Sequence, residues 1–271
     1  WVLLAPFLTV FAVFTAYPLG RSMVLSLHQT YGPGTQEYVG LENYRFIVTD
    51  PLFWKALRNT VVYTMGSVFI QLPLSLGLAL LLNHRAVRGR AVWRLIFFSP
   101  SLVGMVFAAM MFGVMFDKRT GLINVALHAV TSVPADLLGW EAVRWDLDFA
   151  WLQEHVMASL ILASLWMWVG FNMVYFLAAL QNVSRELIEA ATVDGAGPWR
   201  RFVAVIVPAI RPVAGFVVLL SVIGSLQLFE LPWILMNNSG GPHNRGLTVM
   251  SYLYQTGFES GDLGYASAIG W

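Results

Sequence analysis

Val61-Val-Tyr-Thr-Met-Gly-Ser-Val-Phe-Ile-Gln-Leu-Pro-Leu-Ser-Leu-Gly-Leu-Ala-Leu-Leu-Leu82 contains no Asp, Glu, Lys or Arg. At about 1.5 Å per residue such a run is long enough, as a helix, to cross a hydrocarbon core of roughly 30 Å. Leu95–Phe116 and Val156–Leu180 are equally free of charge, Trp1–Gly20 is a fourth run, and Val213–Met236 is a fifth interrupted only by Glu230. The whole chain is 58% apolar and 11% charged, against roughly 45–50% and about 25% in soluble domains. Repetition of the pattern decides the class: an all-α membrane protein, a polytopic helical bundle.

The expected spans are about 1–27, 59–83, 95–116, 155–180 and 212–236, within a single transmembrane domain covering 1–271. The chain opens on Trp1 inside an apolar run. It closes on Tyr265-Ala-Ser-Ala-Ile-Gly-Trp271, which reads as the first two turns of a sixth span, 263–271. A six-span core with its last member incomplete is the expectation. Orientation follows from arginine density. Residues 83–94 carry Arg85, Arg88, Arg90 and Arg94, and 181–212 carries Arg185, Arg200, Arg201 and Arg211. The opposite loops spread Arg45, Lys55, Arg58, Lys118, Arg119, Arg144 and Arg245 over more than twice the length and hold most of the acids. A cytoplasmic N-terminus and cytoplasmic 83–94 and 181–212 loops are therefore expected.

On the other side, Tyr31-Gly-Pro-Gly34 reads as a turn and Gly121–Val130 as a short interfacial helix. Trp140, Trp145 and Trp151 read as belt aromatics at the membrane surface. The absence of cysteine removes thiol and disulfide chemistry. No Gly-x-x-x-x-Gly-Lys-Ser/Thr occurs, since Lys55 and Lys118 are the only lysines. A phosphate-binding loop of that type is excluded, and no nucleotide hydrolysis by this chain is expected. Histidines 28, 84, 128, 155 and 243 have no zinc-ligand spacing, so no metal site is expected. Asp146 and Asp148 read as a solvated acidic face. No catalytic residue is expected.

A long polar segment, 181–211, separates two of the runs. Ser184 is a candidate N-cap for Arg185-Glu-Leu-Ile-Glu-Ala-Ala191, in which Arg185 and Glu189 stand at i,i+4. Gly195 suits a left-handed turn and Pro198 the first position of a second helix, with Pro208 and Pro212 expected to end that helix before the fifth span. On physics alone this is an amphipathic hairpin at the membrane surface.

Glu189-Ala-Ala, three residues, Gly195, nine residues, Val205-Ile-Val207-Pro208 resembles the EAA signature of permease subunits of bacterial binding-protein-dependent ABC importers. That family usually ends the signature Ile-x-Leu-Pro; here Val stands at both aliphatic positions. Asp194-Gly195-Ala196, Phe202 and Pro212 resemble the carbohydrate-uptake branch. So do Tyr17-Pro18, Val39-Gly-Leu-Glu-Asn-Tyr44, Phe53-Trp54, Asn59-Thr60, Gly240-Gly241-Pro242 and Leu263-Gly-Tyr-Ala-Ser-Ala268. The resemblance spans essentially the whole chain.

It implies a multi-pass subunit of the bacterial inner membrane that moves a sugar or related polyol delivered by an extracytoplasmic solute-binding protein. Glu189, Ala190, Ala191, Asp194, Gly195 and Ala196 would form a coupling helix within the 184–208 loop, seated in a separate ATPase. The implied partners are a second permease, by family analogy a homologue, two ATPase subunits carrying ATP and Mg, and membrane lipid. No nucleic-acid partner and no cofactor on this chain are expected. The alternative is a self-sufficient secondary carrier or channel, which should show paired intramembrane charges or matching broken helices in two halves.

Glu230 is the only charged residue well inside an expected span, and such residues mark functional sites. With Gln227, Phe229 and Trp233 it offers hydrogen-bonding groups beside flat aromatic faces, as a sugar path requires. Asn172 and Tyr175 are further candidates. Gln71 with Pro73 reads as a helix distortion, and Trp166 and Trp168 as packing or lipid contacts.

Overall fold

A computed structural model describes residues 2–32, 34–84, 86–139 and 144–271. Trp1, Arg85 and Trp140, used above for the first run, the loop charge and the belt, lie outside the described residues. The chain divides into two compact units, residues 1–58 with 247–271 and residues 59–246. The two units are built on different local chemistry.

The first unit begins with the Ala5–Leu25 helix, none of whose residues is fully buried in the chain. A widened turn at Ala12–Ala16 interrupts its regular winding, with the Tyr17 N–H donating to the Ala12 carbonyl. Pro18 follows directly. Its ring would strike the carbonyl four residues back and it lacks an N–H, so the extra residue in the preceding turn relieves both problems. After this helix come two short antiparallel strands, His28–Thr30 and Gln36–Tyr38, with Gln29 opposite Glu37; Pro33 of the expected turn between them lies outside the described residues. Asn43 ties them down, its amide donating to the carbonyls of Ser26 and His28 at 2.9 Å each, while the Tyr44 hydroxyl donates to Ser26 Oγ.

Leu263–Gly270 packs against this layer, and Asp262 caps its N-terminus by accepting from Tyr265 N at 3.0 Å. Ahead of it, Val249–Tyr254 and a widened turn Gln255–Glu259 are helical segments that sequence reading left out. Asp50 is the buried centre of the unit at 5% exposure. It accepts from the hydroxyls of Tyr252 at 2.5 Å and Tyr265 at 2.7 Å and from Leu52 N at 2.9 Å. Burial alone would raise the Asp50 carboxyl, but these hydrogen bonds outweigh it and hold the group below its ordinary value. The Tyr252 hydroxyl is pushed up to about 12, by burial first and then by Asp50.

The second unit is built around Val156–Gln181, half of whose apolar stretch is buried. Arg90–Phe98 and Val207–Leu226 pack on it. At Gly170 a Cβ would overlap the Phe97 carbonyl, so absence of a side chain lets two backbones touch, the close approach that small residues provide between membrane helices. Pro51–Asn83 carries the second expected span and starts earlier, running unbroken through Pro73. The Ser75 hydroxyl there donates to the Gln71 carbonyl at 2.8 Å and to the Val169 carbonyl at 2.9 Å.

Two expected spans need correction. The stretch 95–116 is not one rod: Arg90–Leu102 and Met105–Met115 meet at 96°. Pro100 opens a tight turn over Ser99–Leu102, and extended backbone at Val103 and Gly104 then ends the hydrogen-bond ladder. The stretch 212–236 lies in a longer helical segment, Pro198–Leu235. Pro208 and Pro212 do not stop it. A widened turn at Phe202–Ile206, closed by Val207 N on the Phe202 carbonyl, accommodates Pro208 as the turn before Pro18 does. The segment breaks instead at Gln227–Phe229 and resumes as Glu230–Leu235, which packs on Met105–Met115.

The predicted helix at 121–130 forms and runs on to Leu138. Trp145 and Trp151 are not belt residues. Trp151 is 6% exposed, and both indole N–H groups donate to Asn124 Oδ1, at 3.2 and 2.8 Å. The Asn124 amide in turn donates to the carbonyls of Leu147 and Phe149 at 3.0 Å each. A buried amide with four partners organises the loop, so its aromatics turn inward. Asp146 and Asp148 lie on its exposed rim, where Asp148 N donates to Asp146 Oδ1. Together with Leu263–Gly270 these helices make an all-α membrane fold.

Candidate functional site

Four segments distant in sequence, one of them contributing Met105 alone, line a cavity of about 300 Å³ within the second unit. Tyr63, Ser67 and Gln71 recur every four residues on the Pro51–Asn83 helix and therefore share one face. Trp168, Phe171 and Asn172, at i, i+3 and i+4, share a face of Val156–Gln181, as Ser221, Gly224 and Ser225 do on Val207–Leu226. The helix break supplies Gln227, Phe229 and Glu230. The Tyr63 and Ser164 hydroxyls meet at 2.5 Å, and Ser67 Oγ donates to Gln71 Oε1 at 3.3 Å, which orients the amide.

Of the residues proposed for a solute path, Gln227, Phe229, Glu230 and Asn172 line this cavity. Trp233 and Tyr175 do not. Trp233 stacks behind Phe229 with ring centroids 5.4 Å apart, and Tyr175 sets its edge against Phe171 at 5.3 Å. Glu230 is not inside a regular span, as expected from the run 213–236; it opens the short helix after the break. Gln71 lies in the wall at 4% exposure rather than marking a distortion. Trp168 is likewise a wall residue, whereas Trp166 sets its edge on Phe112. The i, i+4, i+8 spacing of Tyr63, Ser67 and Gln71 in an otherwise apolar run was the signal available for that wall. Amides, hydroxyls and aromatic faces around one carboxylate can bind a hydroxylated solute.

The second candidate region is the exposed segment that follows Val156–Gln181. Arg185–Val193 forms the predicted helix, buries none of its residues, and leaves Val193 88% exposed. Ser184 holds the N-cap position without a side-chain hydrogen bond, and Arg185 and Glu189 form no ion pair. The C-terminus is closed more firmly. Gly195 has φ +74°, its N–H donates to the Thr192 carbonyl at 3.1 Å, and Ala196 N donates to the Ala191 carbonyl at 2.9 Å. This paired closure satisfies the last carbonyls and requires a left-handed residue at Gly195. Pro198 then starts the next helix in its first turn, and Arg201 reaches back to Thr192 Oγ1 at 2.9 Å. Glu189, Ala190, Ala191, Asp194, Gly195 and Ala196 thus lie on one helix and its closing turn. Trp199 beside them is 75% exposed.

Residues 71–270 match the family described as binding-protein-dependent transport system inner membrane component. The arabinooligosaccharides transport system permease protein AraP of Halalkalibacterium halodurans is 38% identical over 100% of this chain and 81% of its own length. The lactose transport system permease protein LacF of Rhizobium radiobacter is 35% identical over 95% of this chain and 83% of its own. A chain of the bacterial alginate ABC transporter, crystallised with an alginate pentasaccharide-bound periplasmic protein, superposes with a TM-score of 0.80 at 21% identity, over 99% of this chain and 86% of that one. The family match and the length covered by the relatives agree: the chain belongs to the family of inner membrane components of binding-protein-dependent transport systems, and is an ABC importer permease.

Proposed function

We propose that this permease carries a saccharide or related polyol through the bacterial inner membrane as one of a pair, with a separate ATPase supplying the energy. The N-terminus and the 181–211 loop lie on the cytoplasmic side in this reading. Glu189 to Ala196 seat in the ATPase: Glu189 presents an anchoring charge, Ala190 and Ala191 keep the helix narrow, and Gly195 fixes its end. ATP and Mg belong to the two ATPase subunits, and an extracytoplasmic binding protein hands the solute to the path. The observation that carries the reading is the helix Arg185–Val193, none of whose residues is buried in the chain, yet which is closed by a defined turn and tied by Arg201. A rigid, unburied helix is suited to a protein partner. The sugar assignment is supported by the cargo named for AraP and LacF and by the amides and aromatics of the cavity.

The test is ATP-driven uptake by the complete complex in proteoliposomes, with its binding protein and a carbohydrate panel. Stimulation by one saccharide, lost in Glu189→Ala, is the expected result. Uptake that runs on an ion gradient without ATP would overturn the proposal and favour a secondary carrier.

A further inference from the structure

The cavity wall is chemically one-sided. Among its fifteen lining residues Glu230 is the only charged group, and none is Lys, Arg or His. Glu230 stands exposed at the mouth of the helix break, two residues past Leu228 and beside Phe229, whose ring is stacked on Trp233. Asn172, Gln71 and Gln227 supply the amides, each able to donate to or accept from a hydroxyl. A neutral sugar can donate hydrogen bonds from its hydroxyls to the carboxylate and stack its ring on Phe229 or Trp168. A carboxylate or phosphate on the solute would meet Glu230 with no cation among these lining residues to offset the repulsion.

We propose that Glu230 acts as a charge filter, making the path selective for uncharged saccharides over anionic ones of the same size. This rests on the reading of the chain as a saccharide importer and deepens it. One unscreened like-charge contact in a partly desolvated site is worth at least about tenfold in affinity. Glu230→Gln keeps shape and hydrogen-bonding capacity while removing the charge. Gln227→Lys, at an exposed wall position, adds the missing cation.

The experiment uses the assembled importer in lipid nanodiscs, without binding protein, so that only the membrane path is sampled. Equilibrium dialysis compares maltotriose, arabinotriose and lactose with trigalacturonate and glycerol 3-phosphate. At least one neutral sugar should bind about tenfold or more tightly than every anion. That gap should shrink in Glu230→Gln and shrink further or invert in Gln227→Lys. Equal binding of an anion by the unaltered importer overturns the inference. So does a preference that survives both substitutions, or failure of every neutral sugar to bind, which would put selection elsewhere. ATP-driven uptake is measured on the same preparation. Uptake intact with no charge preference defeats the filter alone, whereas no uptake of any saccharide defeats the importer reading beneath it.

Discussion

The exposed hairpin and the packed helix Val156–Gln181 each depend on a glycine, and for opposite reasons. At Gly195 a side chain would meet nothing within 4 Å, but the backbone sits at φ +74°. At Gly170 the backbone lies within an ordinary helix, yet a Cβ would overlap the Phe97 carbonyl. One position is fixed by conformation with empty space around it. The other is fixed by lack of space. The hairpin therefore holds its shape by local hydrogen bonds, and the Val156–Gln181 helix by contact with Arg90–Phe98, far away in sequence.

The largest expected effect is at the packed glycine. Gly170→Val forces Val156–Gln181 away from the turn after Phe97 and should cost about 3 kcal/mol or more. Loss of the folded chain from the membrane fraction, or a collapsed melting transition in detergent, is the readout; normal accumulation would show that the two helices separate easily. Gly195→Val should strain only the turn, by about 1–2 kcal/mol. Accumulation should stay near normal while ATP-driven uptake falls roughly tenfold, the change that 1.4 kcal/mol brings. Gly195→Asn, which tolerates a left-handed backbone, should recover most of it. Equal loss with both substitutions would mean that the site needs open space as well as the angle.

The two carboxylates sharpen the same contrast. Asp50 is buried and satisfied by Tyr252, Tyr265 and Leu52 N, while Glu230 faces the cavity. Asp50→Asn weakens a charge-assisted network and should cost about 1–2 kcal/mol. Because the Asp50 carboxyl is held below its ordinary value of 3.8, its contribution is present above that pH and is lost as pH falls further. Tyr252, raised to about 12, contributes fully below 10 and loses that contribution as pH rises through 12. Melting curves of Asp50→Asn should lack the acid slope, and their alkaline slope should weaken but persist, since burial is the larger cause of the Tyr252 shift. The smallest effect belongs to Ser67→Ala, which removes the hydroxyl holding Gln71: stability should change within about 0.5 kcal/mol. Uptake should need a severalfold higher solute concentration, read as a higher half-saturation point at unchanged maximal rate.

This contrast explains what could be read from the chain. The hairpin's first helix, its closing turn and the start of the second helix at Pro198 are set by local spacing and capping, so they were legible; the end of the second helix was not, because Pro208 and Pro212 do not stop it. The runs of apolar residues likewise announced the bundle. Hydropathy could not show where a run bends, since Pro100 breaks one while Pro73, Pro208 and Pro212 are absorbed. The difference lies in the neighbouring turns, which are tertiary facts. The cavity was half legible. Gln227, Glu230 and Asn172 stood out as polar groups in apolar runs, but Gln71 and Trp168 join them only because two other helices present those faces. Trp145 and Trp151 went wrong for the same reason, since Asn124, more than twenty residues away, draws them inward.

The widened turn before Pro208 has a mechanical consequence. It keeps the chain helical from Pro198 to Leu226, so the end that carries Trp199 and the end that carries Gln227 belong to one strut of roughly 40 Å. Tilting such a strut by about 5° about one end sweeps the other through about 3.5 Å, from its length alone. That stroke exceeds the length of a hydrogen bond. In the proposed importer, a small rocking of the ATPase beneath the hairpin would suffice to make or break every polar contact on one wall of the cavity. The turn at Phe202–Ile206 would set how much of that stroke is lost to flexing along the way.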